Sequence, residues 1–244
     1  MPTLILTPRY TDDAQLLWRA AQRLGWSVER LTSWRVPDEL KSIDDPVLYL
    51  EGLFGPTLAE EFGMRLPEPP VDWLPTLPYE YRKRDIELIT LADARTIEQP
   101  IFMKPPNDKS FPASVCTGAK LPTEFDENSP VLISEIVTWE MEFRCFILDR
   151  RVRTMSIYLR NGVLQREFDF AATEEELGDA RAMAESVLRD PHIELPKAAV
   201  VDVGFIPDRG WAVIEQNAAW GSGIYGCDPV EVLEVIRHAG ERLQ

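Results

Sequence analysis

The sequence predicts an α+β protein that begins with a small open α/β unit. Three observations predict it. Residues 1–50 alternate a short apolar run, an amphipathic segment and two further extended runs, the order of a β-α-β beginning. Residues 61–81 then carry Pro67, Pro69, Pro70, Pro75 and Pro78 and read as an extended connector. Beyond the connector the extended runs are bunched together with few helices between them, unlike a doubly wound sheet. The boundary divides the chain into residues 1–75 and 76–244.

The elements follow in order. Residues 3–7 are apolar and end at Pro8, as a buried strand does. Residues 12–24 show helical spacing, with Leu16, Leu17, Ala20, Ala21 and Leu24 on one face and Gly25 as the stop. Residues 27–31 and 46–50 read as strands. After the connector, which contains Trp73, strands are expected over 100–104, 131–136, 142–148, 152–159, 199–205 and 211–216. The last two are joined by Pro207-Asp208-Arg209-Gly210, which predicts a hairpin. Helices are expected over 174–188 and, closing the chain, over 229–243.

Composition narrows the function. The chain has 244 residues, 45% hydrophobic and 27% charged, enough to bury a sizeable core. With 7 Trp, 10 Phe and 6 Tyr it is too aromatic to stay disordered. Acidic residues outnumber basic ones, 41 to 26, for a net charge of −15. A field of that sign repels phosphate backbones and anionic lipid, so neither nucleic acid nor a membrane is an expected partner. A small anionic ligand would need a local basic pocket or a metal. No segment reaches the ~20 apolar residues of a membrane helix, and the first apolar run is too short for a signal peptide. The expected location is therefore the cytoplasm. Cys116, Cys145 and Cys227 are odd in number and far apart, which suits reduced thiols, and His192 and His238 have no partner at zinc-ligand spacing.

Three constellations carry chemistry. Asp202 sits in an apolar strand, and Glu215 and Asn217 share one face of the next strand. The hairpin can set the three side by side. Two carboxylates and an amide oxygen are hard ligands suited to Mg²⁺, and a carboxylate among apolar residues is costly unless paired or bound to a cation. The second constellation is a strand ending in Lys104, followed by a polar loop that carries Lys109. It can put an ammonium on a phosphate, although a strand-end lysine is more often simply solvated. The third is Ser134-Glu135-Ile136-Val137 with Glu142-Phe143-Arg144. Glu142 and Arg144 share a strand face and either pair with each other or face a ligand.

Read in order, Lys104-Pro105, Glu135-Ile136-Val137, Glu142, Asp202 and Glu215-x-Asn217 resemble the ATP-grasp superfamily over about residues 76–244. Residues 102–111 (Phe-x-Lys-Pro-x-x-Asp-Lys-x-Phe), 142–144 (Glu-Phe-Arg) and 215–223 (Glu-x-Asn-Ala-Ala-Trp-Gly-Ser-Gly) resemble its clade named for one arginine and two lysines. The resemblance implies an α+β ATP-grasp fold behind a small Rossmann-like, pre-ATP-grasp α/β unit. It implies ATP and Mg²⁺, with Lys104 on the α- and β-phosphates and Lys109 and Phe111 on a mobile loop over the triphosphate. That loop has no glycine between Lys104 and Gly118, unlike the glycine-rich loop of many members. Glu135, Ile136 and Val137 would face adenine through backbone groups, Glu142 would take the ribose hydroxyls, and Asp202, Glu215 and Asn217 would hold Mg²⁺. Arg144, Lys109 and Arg84, the last a candidate for the clade's arginine, are the implied catalytic residues. Arg144 would meet the γ-phosphate or the acyl substrate, or pair with Glu142. Arg160 is a further phosphate candidate, and residues 218–225 a turn beside the acyl site. The implied reaction joins a carboxylate to an amine, in a small molecule or a peptide, through an acyl phosphate. A phosphotransferase and a non-catalytic nucleotide-binding module are the alternatives. The resemblance also implies a homodimer, which is frequent among its members.

Overall fold

Thr11 starts the first helix: its side chain accepts from the Ala14 N–H, and Asp12 and Asp13 occupy the first turn, where the helix dipole favours negative charge. This helix, α1 (Asp12–Arg23), connects β1 (Thr3–Leu6) to β2 (Ser27–Arg30), and β3 (Pro46–Tyr49) follows. The three strands are parallel in the order β2-β1-β3, and the central strand is wholly buried. Ala14, Leu17, Ala20 and Ala21 form the buried face of α1, whereas Leu16 and Leu24, expected on that face, are partly exposed. The computed structural model describes residues 1–243.

The connector is not extended throughout. After α2 (Gly55–Glu61) and β4 (Met64–Arg65) come two single-turn helices, α3 (Trp73–Thr76) and α4 (Tyr79–Arg82). Trp73 is buried, and its indole N–H donates to the Glu194 carbonyl at 2.8 Å, so the turn is held from outside rather than by propensity. Next come β5 (Ile86–Thr90), α5 (Leu91–Arg95), β6 (Ile101–Lys104), β7 (Ser114–Cys116) and β8 (Pro130–Ser134). The strands form an antiparallel sheet in the order β5-β8-β6-β7, over a small core of Leu91, Met103, Phe111, Leu121 and Val131.

The third part holds β9 (Met141–Leu148), β10 (Arg151–Arg160), β11 (Val163–Leu164), α6 (Glu174–Arg189), β12 (Ala198–Ile206), β13 (Gly210–Asn217), α7 (Pro229–Ile236) and β14 (Glu241–Arg242). Five strands form an antiparallel sheet, β11-β10-β9-β12-β13. The 198–217 hairpin is present as the turn residues predicted. One face of the sheet packs Phe143, Cys145, Ile157, Val201, Val203 and Val213 into the core that holds α6. Arg160, a phosphate candidate, instead forks onto Glu176 at 2.8 and 3.1 Å and braces the capping box of Thr173 that opens α6. On the opposite face, Phe146, Leu148, Ala198 and Val200 join the core of the N-terminal sheet. The final helix is shorter than expected. It ends at Ile236, and Glu241–Arg242 pairs with β4. α7 packs against α1 and β3, so the first and last segments of the chain share one core.

Candidate functional site

Register decides which polar side chains meet. Asp202 on β12 lies opposite Arg144 on β9 and opposite Glu215 on β13, and Arg144 in turn lies opposite Ser156 on β10. Residues directly opposite in an antiparallel ladder share a face, so these groups collect on the face away from α6. Two irregularities shape this patch. Between β12 and β13 the ladder advances one residue on β12 and two on β13, so Ile214 is extra. Between β9 and β10 the extra residue beside Glu142 is Tyr158, and Arg153 is a second, near the start of β10. Strict alternation would put Val213 and Glu215 on the same face. The bulge at Ile214 separates them, with Val213 in the core under α6 and Glu215 in the polar patch.

The patch is one continuous network. Arg144 donates through Nε to Asp202 Oδ1 at 3.0 Å and through Nη2 to Oδ2 at 2.7 Å, while its Nη1 donates to the Gly223 carbonyl at 3.1 Å. Asn217 Nδ2 donates to Asp202 Oδ2 at 3.3 Å and to Glu215 Oε1 at 3.0 Å. Lys104, at the end of β6 in the four-stranded sheet, donates to Glu215 and so spans the gap between the two sheets. Tyr158 donates its hydroxyl to Glu142 Oε2 at 2.7 Å. The expected alternative of a Glu142–Arg144 pair is not formed. Each has taken a different partner, because the cross-strand neighbour lies closer than the residue two along the strand. The Arg144 guanidinium also sits 4.9 Å from the ring centre of Tyr225, which itself stacks on Tyr158 at 5.0 Å.

Electrostatics follow burial. Asp202 is wholly inaccessible, and burial pushes its carboxyl up despite the Arg144 fork. Burial also pushes Glu142 up, only partly offset by the Tyr158 hydroxyl. Glu215 moves the other way. Burial opposes it, but the Lys104 ammonium and the Asn217 amide hold its carboxyl below the ordinary range. The thiols of Cys145 and Cys227 lie beneath the patch, and burial raises the latter to about 11, which leaves it a poor nucleophile.

The other expected residues are placed as follows. The carboxylate of Glu135 accepts from Arg209 at 2.9 and 3.3 Å and from the Asp85 N–H at 2.9 Å, and Arg209 pulls it below its usual range. Among the described residues, the backbone N–H and C=O groups of Ile136 and Val137 have no protein partner, and Ile136 is exposed. Lys109 is exposed on its loop. Phe111, expected on the mobile part of that loop, is buried in the core of the four-stranded sheet and pins the loop's far end. Asn107 ties the near end to the Pro69 carbonyl at 2.6 Å. Arg84 is buried and gives three of its N–H donors to the carbonyls of Arg82, Val213 and Ile214. Burial, with Arg82 beside it, lowers its pKa to about 10.

Sequence reasoning missed Tyr158, Asp13 and Tyr49, and took Tyr225 only as the end of the 218–225 turn. Asp13 Oδ2 accepts the Ile224 N–H at 3.0 Å, and the Tyr49 hydroxyl donates to the Ser222 carbonyl at 3.2 Å, so the N-terminal unit grips residues 222–224. Only Tyr225 left a local signal, as an aromatic within a glycine-rich turn. Its φ of +48° is unusual for a residue with a side chain.

The donor set suits a hard divalent cation. Glu215 and Asn217 are half-buried with carboxylate and amide groups adjacent, and Glu215 is held by the Lys104 ammonium, its one ion-pair partner, and by the Asn217 amide. Asp202 has both oxygens on Arg144 and reaches the patch through Asn217. Among the described residues no three His, Cys, Asp or Glu side chains cluster at metal-holding distance, so Asn217 is needed to complete the set.

Comparison with known proteins agrees with this architecture. Residues 81–235 match the ATP-grasp domain of the second family in the clade named for one arginine and two lysines, and the chain belongs to that family. Its fold is similar to N5-carboxyaminoimidazole synthetase from Staphylococcus aureus, with a TM-score of 0.58 at 11% identity over 100% of this chain and 80% of that one. It is similar also to D-alanine–D-alanine ligase from Bacillus anthracis, with a TM-score of 0.56 at 14% identity over 98% and 96% of the two chains. The D-cycloserine synthetase DcsG gives a TM-score of 0.55 at 16% identity over 100% and 99%. At these identities the likeness is one of fold. No curated protein sequence matches the chain. No described helix is long and apolar enough to cross a membrane.

Proposed function

We propose that this protein is an ATP- and Mg²⁺-dependent ligase that joins a carboxylate to an amine. The observation that carries the reading is the single network Lys104–Glu215–Asn217–Asp202–Arg144, which links a cation from one sheet to carboxylates on the other. Two carboxylates offset by two cations leave the patch balanced, so a triphosphate and its metal can replace the Lys104–Glu215 contact without stranding a buried charge. On ATP binding the Lys104 ammonium turns to the α- and β-phosphates and Glu215 is released. Glu215 and Asn217, with Asp202 behind them, would hold Mg²⁺, which neutralises phosphate charge and polarises the γ-phosphoryl group. The unpartnered backbone at Ile136 and Val137 offers the donor and acceptor that the edge of adenine needs, while Glu142 meets the ribose.

The substrate carboxylate attacks the γ-phosphorus, ADP leaves, and an acyl phosphate forms. The amine then attacks the acyl carbon, and phosphate and a proton depart. The chain contributes positioning and charge rather than a nucleophile, which agrees with the raised, buried thiols. Lys109 on the loop supplies positive charge toward the γ-phosphate. Arg144 fixes Asp202 and the Gly223 carbonyl, and with Tyr225 it forms a wall of the acyl subsite. The grip of Asp13 and Tyr49 on residues 222–224 supports a role for residues 1–75 in choosing the acceptor.

The test is a thermal-shift titration with ATP, with and without Mg²⁺, followed by assay of ADP release with carboxylates and amines. A Mg²⁺-dependent shift lost in Lys104→Ala, with ADP release that needs both substrates, supports the ligase. ADP release with a carboxylate or hydroxyl acceptor alone and a stable phosphorylated product overturns it in favour of a phosphotransferase. A shift without turnover on any pair overturns it in favour of a binding module.

A further inference from the structure

The bulge at Ile214 is the device that turns Glu215 into the polar patch while Val213 stays in the core, and one side chain is bound to it. Arg84 donates through Nη1 to the Val213 carbonyl at 2.8 Å and through Nη2 to the Ile214 carbonyl at 3.1 Å. Successive carbonyls of a regular strand point in opposite directions, so one guanidinium cannot take both. It can do so only where the strand is irregular, and this is where Ile214 stands unpaired in the ladder. Arg84 has two further contacts. Nη1 also donates to the Arg82 carbonyl at 2.9 Å, and the guanidinium lies 4.9 Å from the ring of Trp139. Trp139 follows the Ile136–Val137 segment and packs over Gly204, where any Cβ would come within 2.7 Å of the ring and of the Met141 carbonyl. Arg84 thus ties three pieces together: the strand that carries Glu215, the segment after β8, and its own turn after α4.

We propose that Arg84 is a positioning residue whose guanidinium clamps the two carbonyls of the Ile214 bulge and thereby aims Glu215 and Asn217 into the site. The inference rests on the reading that these two residues serve Mg²⁺-bound ATP. Lysine cannot replace it, because a single ammonium lacks the planar fork that spans two carbonyls while stacking on an aromatic ring. The clamp acts on metal-dependent binding rather than on the nucleotide itself, since the two carbonyls it holds belong to β13, whereas Lys104 ends β6 and Ile136–Val137 follow β8.

The experiment compares wild type, Arg84→Gln and Arg84→Lys without nucleotide, then with ATP in the presence and absence of Mg²⁺. Amide hydrogen exchange over residues 213–217 should accelerate about tenfold in Arg84→Gln relative to residues 141–148, the loss expected for a hydrogen bond to a charged group. The Mg²⁺ concentration for half-maximal ATP-dependent thermal shift should rise by a similar factor, about tenfold, while Mg²⁺-free ATP binding stays as in wild type. Arg84→Lys should restore stability without restoring the Mg²⁺ response, and it carries the test if Arg84→Gln fails to fold. Unchanged exchange over 213–217 in a folded variant overturns the proposal. So does an equal loss of ATP binding with and without Mg²⁺, which would make Arg84 an ordinary nucleotide contact. If wild type itself shows no Mg²⁺-dependent shift, the nucleotide reading fails, and the exchange measurement alone judges the clamp.

Discussion

The two sides of the site are built differently. On the five-stranded sheet, Arg144 and Asp202 form a buried, two-pronged pair with every charged atom engaged. On the four-stranded sheet, Lys104 offers one ammonium to a half-buried Glu215, and the neighbouring segment leaves its backbone groups at Ile136 and Val137 unpaired. The first side is preset, and its charges would be costly to move. The second is held by contacts that a ligand can replace at little cost. The difference suggests a division of labour in which the large sheet fixes geometry and the small one exchanges partners.

The largest effect that can break this comparison is on stability. Asp202→Asn leaves the Arg144 guanidinium buried without its counter-charge and should cost about 3–5 kcal/mol, a large share of the roughly 5–15 kcal/mol typical of a domain. Urea unfolding checks it, and a loss under about 1 kcal/mol, the range of exposed pairs, would show that the pair is far weaker than its geometry suggests. Lys104→Met should change stability by about 1 kcal/mol or less yet weaken ATP binding about tenfold or more. Calorimetric titration at fixed Mg²⁺ measures the second quantity, and a stability loss matching that of Asp202→Asn would erase the distinction between the sides.

Smaller effects sharpen it. The Glu142 carboxyl is held above its unfolded value by burial, so its contribution to stability is complete below the unfolded pKa and fades as pH rises through the folded one. Glu142→Gln should therefore gain stability relative to wild type as pH rises from about 4 toward neutrality. Denaturation at a series of pH values reads this, and a gap constant with pH would contradict it. The Glu215 carboxyl, held low, should act in the opposite sense, its contribution being lost as pH falls through its folded pKa. Smallest of all, Glu135→Gln should leave ATP affinity unaltered, because its carboxylate is occupied by Arg209 and the Asp85 N–H while the adenine edge is served by backbone. A drop in affinity comparable to that of Lys104→Met would return the side chain to the site.

Most strands, together with α1 and α6, were legible because their apolar spacing is strong and local. That Asp202 and Glu215 lie on neighbouring strands was legible too, because a four-residue turn marks the hairpin; the turn's register alone would set Asp202 opposite Ile214, and it is the bulge that puts Glu215 there. What escaped is nonlocal. α3, which contains Pro75, and α4, which follows Pro78, are single turns, and Trp73 is held by a carbonyl 121 residues away. The last helix stops at Ile236 because the chain is needed at Glu241–Arg242 to pair with β4. Arg144 was offered Glu142 by strand alternation, but that neighbour is roughly 6.6 Å along the strand, farther than a residue directly across the ladder. The bulges at Ile214 and Tyr158 leave no mark in the residue pattern, and with them went the roles of Arg84 and Tyr158. Phe111 read as a loop residue because prolines flank it at 105, 106 and 112. Its burial depends on the sheet above it.

The shared core of the N-terminal sheet and α7 has a consequence for synthesis. Val232, Leu233, Val235 and Ile236 complete a core whose other members begin at Leu4. At roughly 5–20 residues per second, a ribosome takes on the order of 10–40 s to travel from one to the other. For that interval the first strands lack the part of their cover that α7 supplies. The core of the N-terminal unit is therefore complete only when the C-terminal helix has been made, and until then a chaperone or an early aggregate can compete with that helix for the open part of the core.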